Sequence, residues 1–181
     1  AVSNRIIRQS RGGKILYRPY YFPEVFLMLQ ALVIVLIVAA DQAVKFFIRT
    51  GYALGESHEV LKGILSLTYV QNTGAAFSSL SSHTWVLTAL SAVLSIAIAA
   101  VLIKRVFRHP LAVWSLTAVL GGAVGNLIDR AFLGFVVDMF QLDFFRFPVF
   151  NVADIFITAG GVGIVVYLLF IYKGNEQKEK K

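Results

Sequence analysis

The sequence predicts an all-α membrane protein: a bundle of four transmembrane helices with both termini on the cytoplasmic side. Three observations carry that prediction. Hydrophobic residues make up 57% of the 181 and charged residues 15%, with a mean hydropathy of +0.73, whereas a soluble domain is about 25% charged. Four apolar runs, Val25–Val44, Thr84–Ile103, Leu111–Ile128 and Ile155–Tyr172, approach the roughly 20 residues needed to cross a bilayer. The basic residues, finally, are divided unequally between the two sides that four crossings create.

Residues 1–24 form a basic arm with Arg5, Arg8, Arg11, Lys14 and Arg18. The first span follows. It is too long for the apolar part of a cleaved signal peptide, and no small-residue cleavage site comes after it. The loop from Lys45 to His83 is long enough for structure of its own. In it, Leu65-Ser66-Leu67-Thr68-Tyr69 alternates apolar and polar residues, the pattern of a strand with one buried face, and Asn72-Thr73-Gly74-Ala75-Ala76-Phe77 reads as a turn of small residues. Lys104, Arg105 and Arg108 separate spans two and three. A short loop links spans three and four, and residues 173–181 form a lysine-rich tail. Twelve basic residues thus fall on the side of the termini and five on the other, so the positive-inside rule places both termini in the cytoplasm. With no internal repeat, residues 25–172 read as one membrane domain.

The same pattern narrows the function classes. The net charge of +7 is accounted for by topology, which removes support for nucleic-acid binding; the arm is either a topology signal or a contact for anionic lipid. There is no cysteine, and His58, His83 and His109 are scattered singly. This excludes thiolate chemistry and disulfides, and it offers neither metal-ligand spacing nor a Ser-His-Asp arrangement. No metal or cofactor is expected.

Carboxylates are what remain. Asp41, Asp129, Asp138, Asp143 and Asp154 all fall at or just beyond the outward ends of the spans, and an aspartate at membrane depth costs at least roughly 2.5–3.5 kcal/mol. Asp41 and Lys45 are four apart with the acid first, the better order for an ion pair on one helix face; an interfacial salt bridge and a site role fit equally. Asn126, Asp129 and Arg130 share a face of span three, where the arginine can fix a carboxylate through two parallel hydrogen bonds. Gly121 with Gly125, and Ala159 with Gly163, are small-xxx-small pairs that allow close helix packing. That packing would draw together the ends bearing Asp138 and Asp154. Asn151 either caps the fourth helix or donates to a carboxylate. Asp143, beside Phe144 and Phe145, reads as a solvated loop residue.

In order along the chain stand Asp41-Gln42-xx-Lys45, Asn72-x-Gly74-Ala75-Ala76-Phe77, Gly121-Gly122-Ala123-x-Gly125-Asn126-Leu127-Ile128-Asp129-Arg130, Val136-Val137-Asp138 and Phe150-Asn151-Val152-Ala153-Asp154. These five motifs in a four-span frame closely resemble the bacterial lipoprotein signal peptidases, also called signal peptidase II, over about Val25 to Tyr172. The resemblance implies a small extracytoplasmic β-rich cradle on the helix bundle and a place in the bacterial cytoplasmic membrane. It implies removal of the signal peptide from diacylglyceryl-modified prolipoproteins, cut before the lipidated cysteine. It implies Asp138 and Asp154 as the catalytic dyad, with Asp41, Lys45, Asn72, Gly74, Asn126, Asp129, Arg130 and Asn151 shaping the site or holding substrate. One chain suffices for such a dyad, so a monomer among membrane lipids is expected.

The chemistry agrees, because two close carboxylates share one proton. One of them can then deprotonate water while the other supplies a proton to the leaving amine. A small proton-coupled carrier is the alternative use of the same groups, although carriers gather them near the midplane in paired broken helices. A scaffold would need the glycine faces and not the polar cluster.

Overall fold

Helices follow the apolar runs but overrun their limits. The computed structural model describes residues 23–74 and 84–172. The basic arm before Pro23, the tail 173–181, His83 and the Ala75-Ala76-Phe77 part of the second motif lie outside these residues. Chain order is α1 (Pro23–Gly51), β1 (Ser57–Leu61), β2 (Leu65–Asn72), α2 (Thr84–Ile103), α3 (Pro110–Leu133), β3 (Val136–Leu142) and α4 (Val152–Val166), the last running on into a π-helical segment over Tyr167–Tyr172. All four helices are long and apolar enough to cross a membrane. The expected ends at Val44 and Ile128 were too early. α1 continues to Gly51 and α3 to Leu133; Lys45 and Asp129, the first charges past the expected ends, are paired with each other inside the bundle. α4 begins three residues before the expected Ile155, which puts Asp154 in its first turn.

α3 is the central helix. Half of its most apolar stretch is buried, against less than a fifth in each of the others. Met28, Val35, Ile96 and Val162 point outward instead, as suits helices solvated by lipid tails. The glycines explain the close packing, although not in the pairing that sequence spacing suggested. A Cβ on Gly121 would lie 3.0 Å from Ile37, and one on Gly125 would lie 2.6 Å from the Asp41 carboxylate, so this pair faces α1. The contact between α3 and α4 rests on Gly122 against the Ala153 backbone, Gly160 against the Ser115 carbonyl and Gly163 against the Ser115 hydroxyl. His109 caps α3, its Nδ1 accepting from the Leu111 amide, with Pro110 in the first turn. At the other end Gly134 (φ 79°) takes the left-handed conformation that stops the helix and turns the chain into β3.

The three strands form one antiparallel sheet in the order β1-β2-β3. β1 and β2 join the end of α1 to the start of α2, and β3 joins α3 to α4, so the sheet covers that end of the bundle. Ile48, Tyr69, Val137 and Met139 form a buried cluster that fixes the last turns of α1 to β2 and β3. The all-α description therefore holds for the spanning part alone. The strand expected over Leu65–Tyr69 extends to Asn72. β3, expected to be a plain loop, is the strand that carries Asp138.

Candidate active site

Each polar side chain reaches the sheet end of the bundle by a different element. α1 contributes Asp41, Gln42 and Lys45, β2 contributes Asn72, α3 contributes Asn126 and Asp129, β3 contributes Asp138, and the start of α4 contributes Asn151 and Asp154. Lys45 lies at the centre of the buried part. Its Nζ is 2.8 Å from Asp41, 3.1 Å from Asp129 and 2.8 Å from Asn126 Oδ1. All four of these residues are buried. Removing one member of such an ion pair leaves an uncompensated charge and costs about 3–5 kcal/mol, so the cluster holds α1 and α3 in fixed relation.

The two carboxylates on that cluster act as struts. Asp41 Oδ1 accepts from the Ala153 amide at 2.9 Å, an otherwise unpaired donor in the first turn of α4, where a negative charge also suits the helix dipole. Asp129 Oδ2 accepts from the Val137 amide at 3.0 Å, which fixes β3 next to Asp138. Gln42 ties the struts together through Nε2, donating to Asp129 at 2.9 Å and to Asp41 and the Gly125 carbonyl at 3.2 Å. Gln42 stands in the first motif but was not expected as a site residue. Its polar amide within an apolar span was the available signal.

Asp138 and Asp154 meet through amides. Asn151 Nδ2 donates to Asp138 Oδ1 at 2.6 Å, and Asn72 Nδ2 donates to Asp138 Oδ2 at 2.9 Å. Asn126 Nδ2 donates to Asp154 Oδ1 at 2.8 Å, while the Asn151 backbone amide donates to Asp154 Oδ2 at 3.2 Å. Asn151 Nδ2 also reaches Asn126 Oδ1 at 3.1 Å, closing a ring of contacts around the two carboxyls. Each oxygen of the two carboxyls thus has a fixed donor among the described residues, and a carboxylate oxygen can accept a second hydrogen bond. The alternatives for Asn151 are both realised: its Oδ1 caps α4 by accepting from the Asp154 amide at 3.0 Å, and its Nδ2 donates to the Asp138 carboxyl. Gly74 acts through Asn72, its amide donating to Asn72 Oδ1 at 3.0 Å and so turning Nδ2 towards Asp138. The register assists, because Asp138 pairs with Val70 and Val136 with Asn72, which leaves Asn72 diagonal to Asp138 on one face.

The environments of the two carboxyls differ. Asp138 is buried and Asp154 half-buried. Burial above all, aided by the nearby Asp154 charge, pushes the Asp138 carboxyl up to about 6, against the opposing pull of the Asn72 and Asn151 amides and of Lys45. Two residues stand at the edges of the site. Arg130 forms no ion pair with any described residue; Lys45 fixes the carboxylates instead. Arg130 lines an open groove of about 460 Å³ with Trp85, Thr88, Ala89, Ala131 and Gly134, within electrostatic reach of Asp154 and Asp138. Asp143 is exposed as expected, yet it accepts from Ser66 at 2.8 Å and braces the β1–β2 hairpin.

Four apolar helices with two amide-held carboxyls under a small sheet make this a membrane-type fold that gathers carboxylates at one end. The comparisons narrow the class. Residues 33–170 match the family described as signal peptidase (SPase) II. The chain is 42% identical to the lipoprotein signal peptidase of Lactobacillus gasseri, over 80% of this chain and 94% of that one. It is 39% identical to that of Enterococcus faecalis, over 83% and 94%. A solved structure described as a bacterial membrane enzyme superposes with a TM-score of 0.77 at 31% identity, covering 86% of this chain and 93% of the other. The chain belongs to the signal peptidase II family and is a membrane peptidase; the carrier alternative finds no support.

Proposed function

We propose that this protein removes signal peptides from diacylglyceryl-modified prolipoproteins, cutting before the lipidated cysteine, with Asp138 and Asp154 as the catalytic dyad. The observation that carries this reading is the pair itself: two carboxyls from β3 and α4, both hydrogen-bonded by Asn151. The ionised member takes a proton from water, and the resulting hydroxide attacks the scissile carbonyl. The protonated member polarises that carbonyl and then gives its proton to the leaving amine. Burial makes Asp138 the member driven towards the protonated form. Asn72, Asn126 and Asn151 hold the carboxyl planes, Asp41, Lys45 and Asp129 hold the elements that bear them, and Arg130 is available to substrate.

The site opens at the sheet end. With the termini in the cytoplasm, that end faces the outer leaflet of the cytoplasmic membrane, where water and a lipid-anchored substrate are both accessible. The chain acts there as a monomer surrounded by membrane lipids. The test is cleavage of a lipidated prolipoprotein by the purified protein. Asp138→Asn and Asp154→Asn should each lower the rate by about 10²–10⁴-fold while the folded protein is recovered in normal yield. Cleavage near the wild-type rate in both variants would rule out the dyad.

A further inference from the structure

A second polar site lies at the end of the bundle opposite the sheet, remote from the carboxylates and independent of the peptidase reading. There the α2–α3 connection meets the final π-helical segment, and Val106, Phe107, Arg108, His109, Tyr167 and Tyr172 line an open groove of about 800 Å³. Its floor is aromatic. Tyr167 stacks on His109 (centroids 5.4 Å apart) and meets Phe107 edge-on at 5.7 Å, with Tyr172 at 6.2 Å. His109 Nδ1 is engaged as the acceptor that caps α3, so Nε2 carries the ring proton and is a donor. Arg108 is exposed and makes no ion pair with any described residue.

Charge and position identify the occupant. Seven of the eight acidic residues among those described belong to the sheet half, and Glu24 alone belongs to this end. Lys104, Arg105 and Arg108 are all exposed here. The groove lies where three apolar helices begin or end, with Val106 and Leu168 both exposed on its rim, so a lipid tail beside it would stay in hydrocarbon. A basic, tyrosine-lined recess between span ends is suited to an anionic lipid headgroup. The tail that follows Tyr172 is a poor occupant, because Lys173, Lys178, Lys180 and Lys181 outnumber Glu176 and Glu179 and repeat the sign of the groove.

We propose that this groove binds the phosphodiester headgroup of an anionic membrane phospholipid through Arg108 and His109, with its acyl chains running past Val106 and Leu168. The test uses the full chain in neutral detergent, titrated with phosphatidylglycerol or with phosphatidylcholine of the same acyl chains and read by native mass spectrometry. Phosphatidylglycerol should be retained preferentially, and Arg108→Gln should weaken its retention by about fivefold. Lys62→Gln, in the β1–β2 turn at the other end, should leave it unchanged. Continued prolipoprotein cleavage by Arg108→Gln would show that this variant is folded. Equal retention of the two lipids, or a phosphatidylglycerol affinity unaltered by Arg108→Gln, would overturn the proposal. So would a tighter affinity after deletion of residues 173–181, which would assign the groove to the tail.

Discussion

At the scale of single residues, the burial of Asp138 sets a pH dependence whose sign is fixed. With its carboxyl at about 6, raising the pH through that value removes the proton that a dyad needs for the leaving amine. The pH profile of kcat/KM should therefore fall on its alkaline side with an apparent pKa near 6. Asn72 donates to Asp138 and favours its ionised form. Asn72→Ala should therefore move that limb to higher pH, and a steady-state pH profile of both proteins checks the direction. This is also the scale at which sequence reasoning was most and least successful. Local pattern left Asp41 and Lys45 evenly divided between a salt bridge and a site role, and Asn151 between a cap and a donor; it was the five-motif resemblance that grouped them with Asn126. The partner of each was not legible, since a periodicity of 3.6 gives faces and not distances. Arg130 shares the sequence face of Asp129, yet the contact goes to Lys45, 84 positions away in the chain.

At the scale of elements, one residue and one helix contact are each open to a paired experiment. Asn151 caps α4 with its oxygen and donates through its side-chain nitrogen to Asp138 and to Asn126. Asn151→Ser keeps a good cap but removes the amide donor. It should unfold within about 1 kcal/mol of the wild type while losing about 10–100-fold in kcat, the size expected for a hydrogen bond to a charged group. Asn151→Ala should lose the cap as well, lowering stability by a further ~1 kcal/mol. The second pair concerns adjacent glycines of α4. A Cβ on Gly160 would lie 2.5 Å from the Ser115 carbonyl, whereas one on Gly161 meets nothing within 4 Å. Gly160→Ala should destabilise by about 1–3 kcal/mol through overpacking, and Gly161→Ala should be neutral or stabilising by up to ~1 kcal/mol through helix propensity. Thermal unfolding in detergent distinguishes them. The sequence showed a run of small residues but could not say which of them touch, because rotation about a helix axis is settled by the neighbour. The strands suffered similarly: β1 is short and exposed on every residue, so it has no alternation to read, and β3 is buried over its first four positions, so its pattern is continuous.

At the scale of the whole molecule, the inference that links fold to function is orientation, and the chain is well suited to a direct test. Connectivity places the sheet, the proposed dyad of Asp138 and Asp154, and the β1–β2 turn at one end of the bundle and the α2–α3 connection at the other. On the proposed orientation, which the excess of basic residues on the side of the termini supports, that second end lies in the cytoplasm. Only then do the carboxylates meet a substrate whose lipid anchor lies in the outer leaflet. The chain has no cysteine, so a single introduced thiol reports its own position without background. Lys62 in the β1–β2 turn and Lys104 at the end of α2 are both exposed and outside the polar cluster, so neither substitution should disturb folding or cleavage. A membrane-impermeant maleimide applied to intact cells, with the outer membrane opened where the host has one, should label Lys62→Cys at once. Lys104→Cys should be labelled only after the cytoplasmic membrane is permeabilised. The reverse pattern would turn the dyad towards the cytoplasm, where a translocated signal peptide cannot reach it, and would break the link between this arrangement and prolipoprotein cleavage even if the two aspartates proved essential.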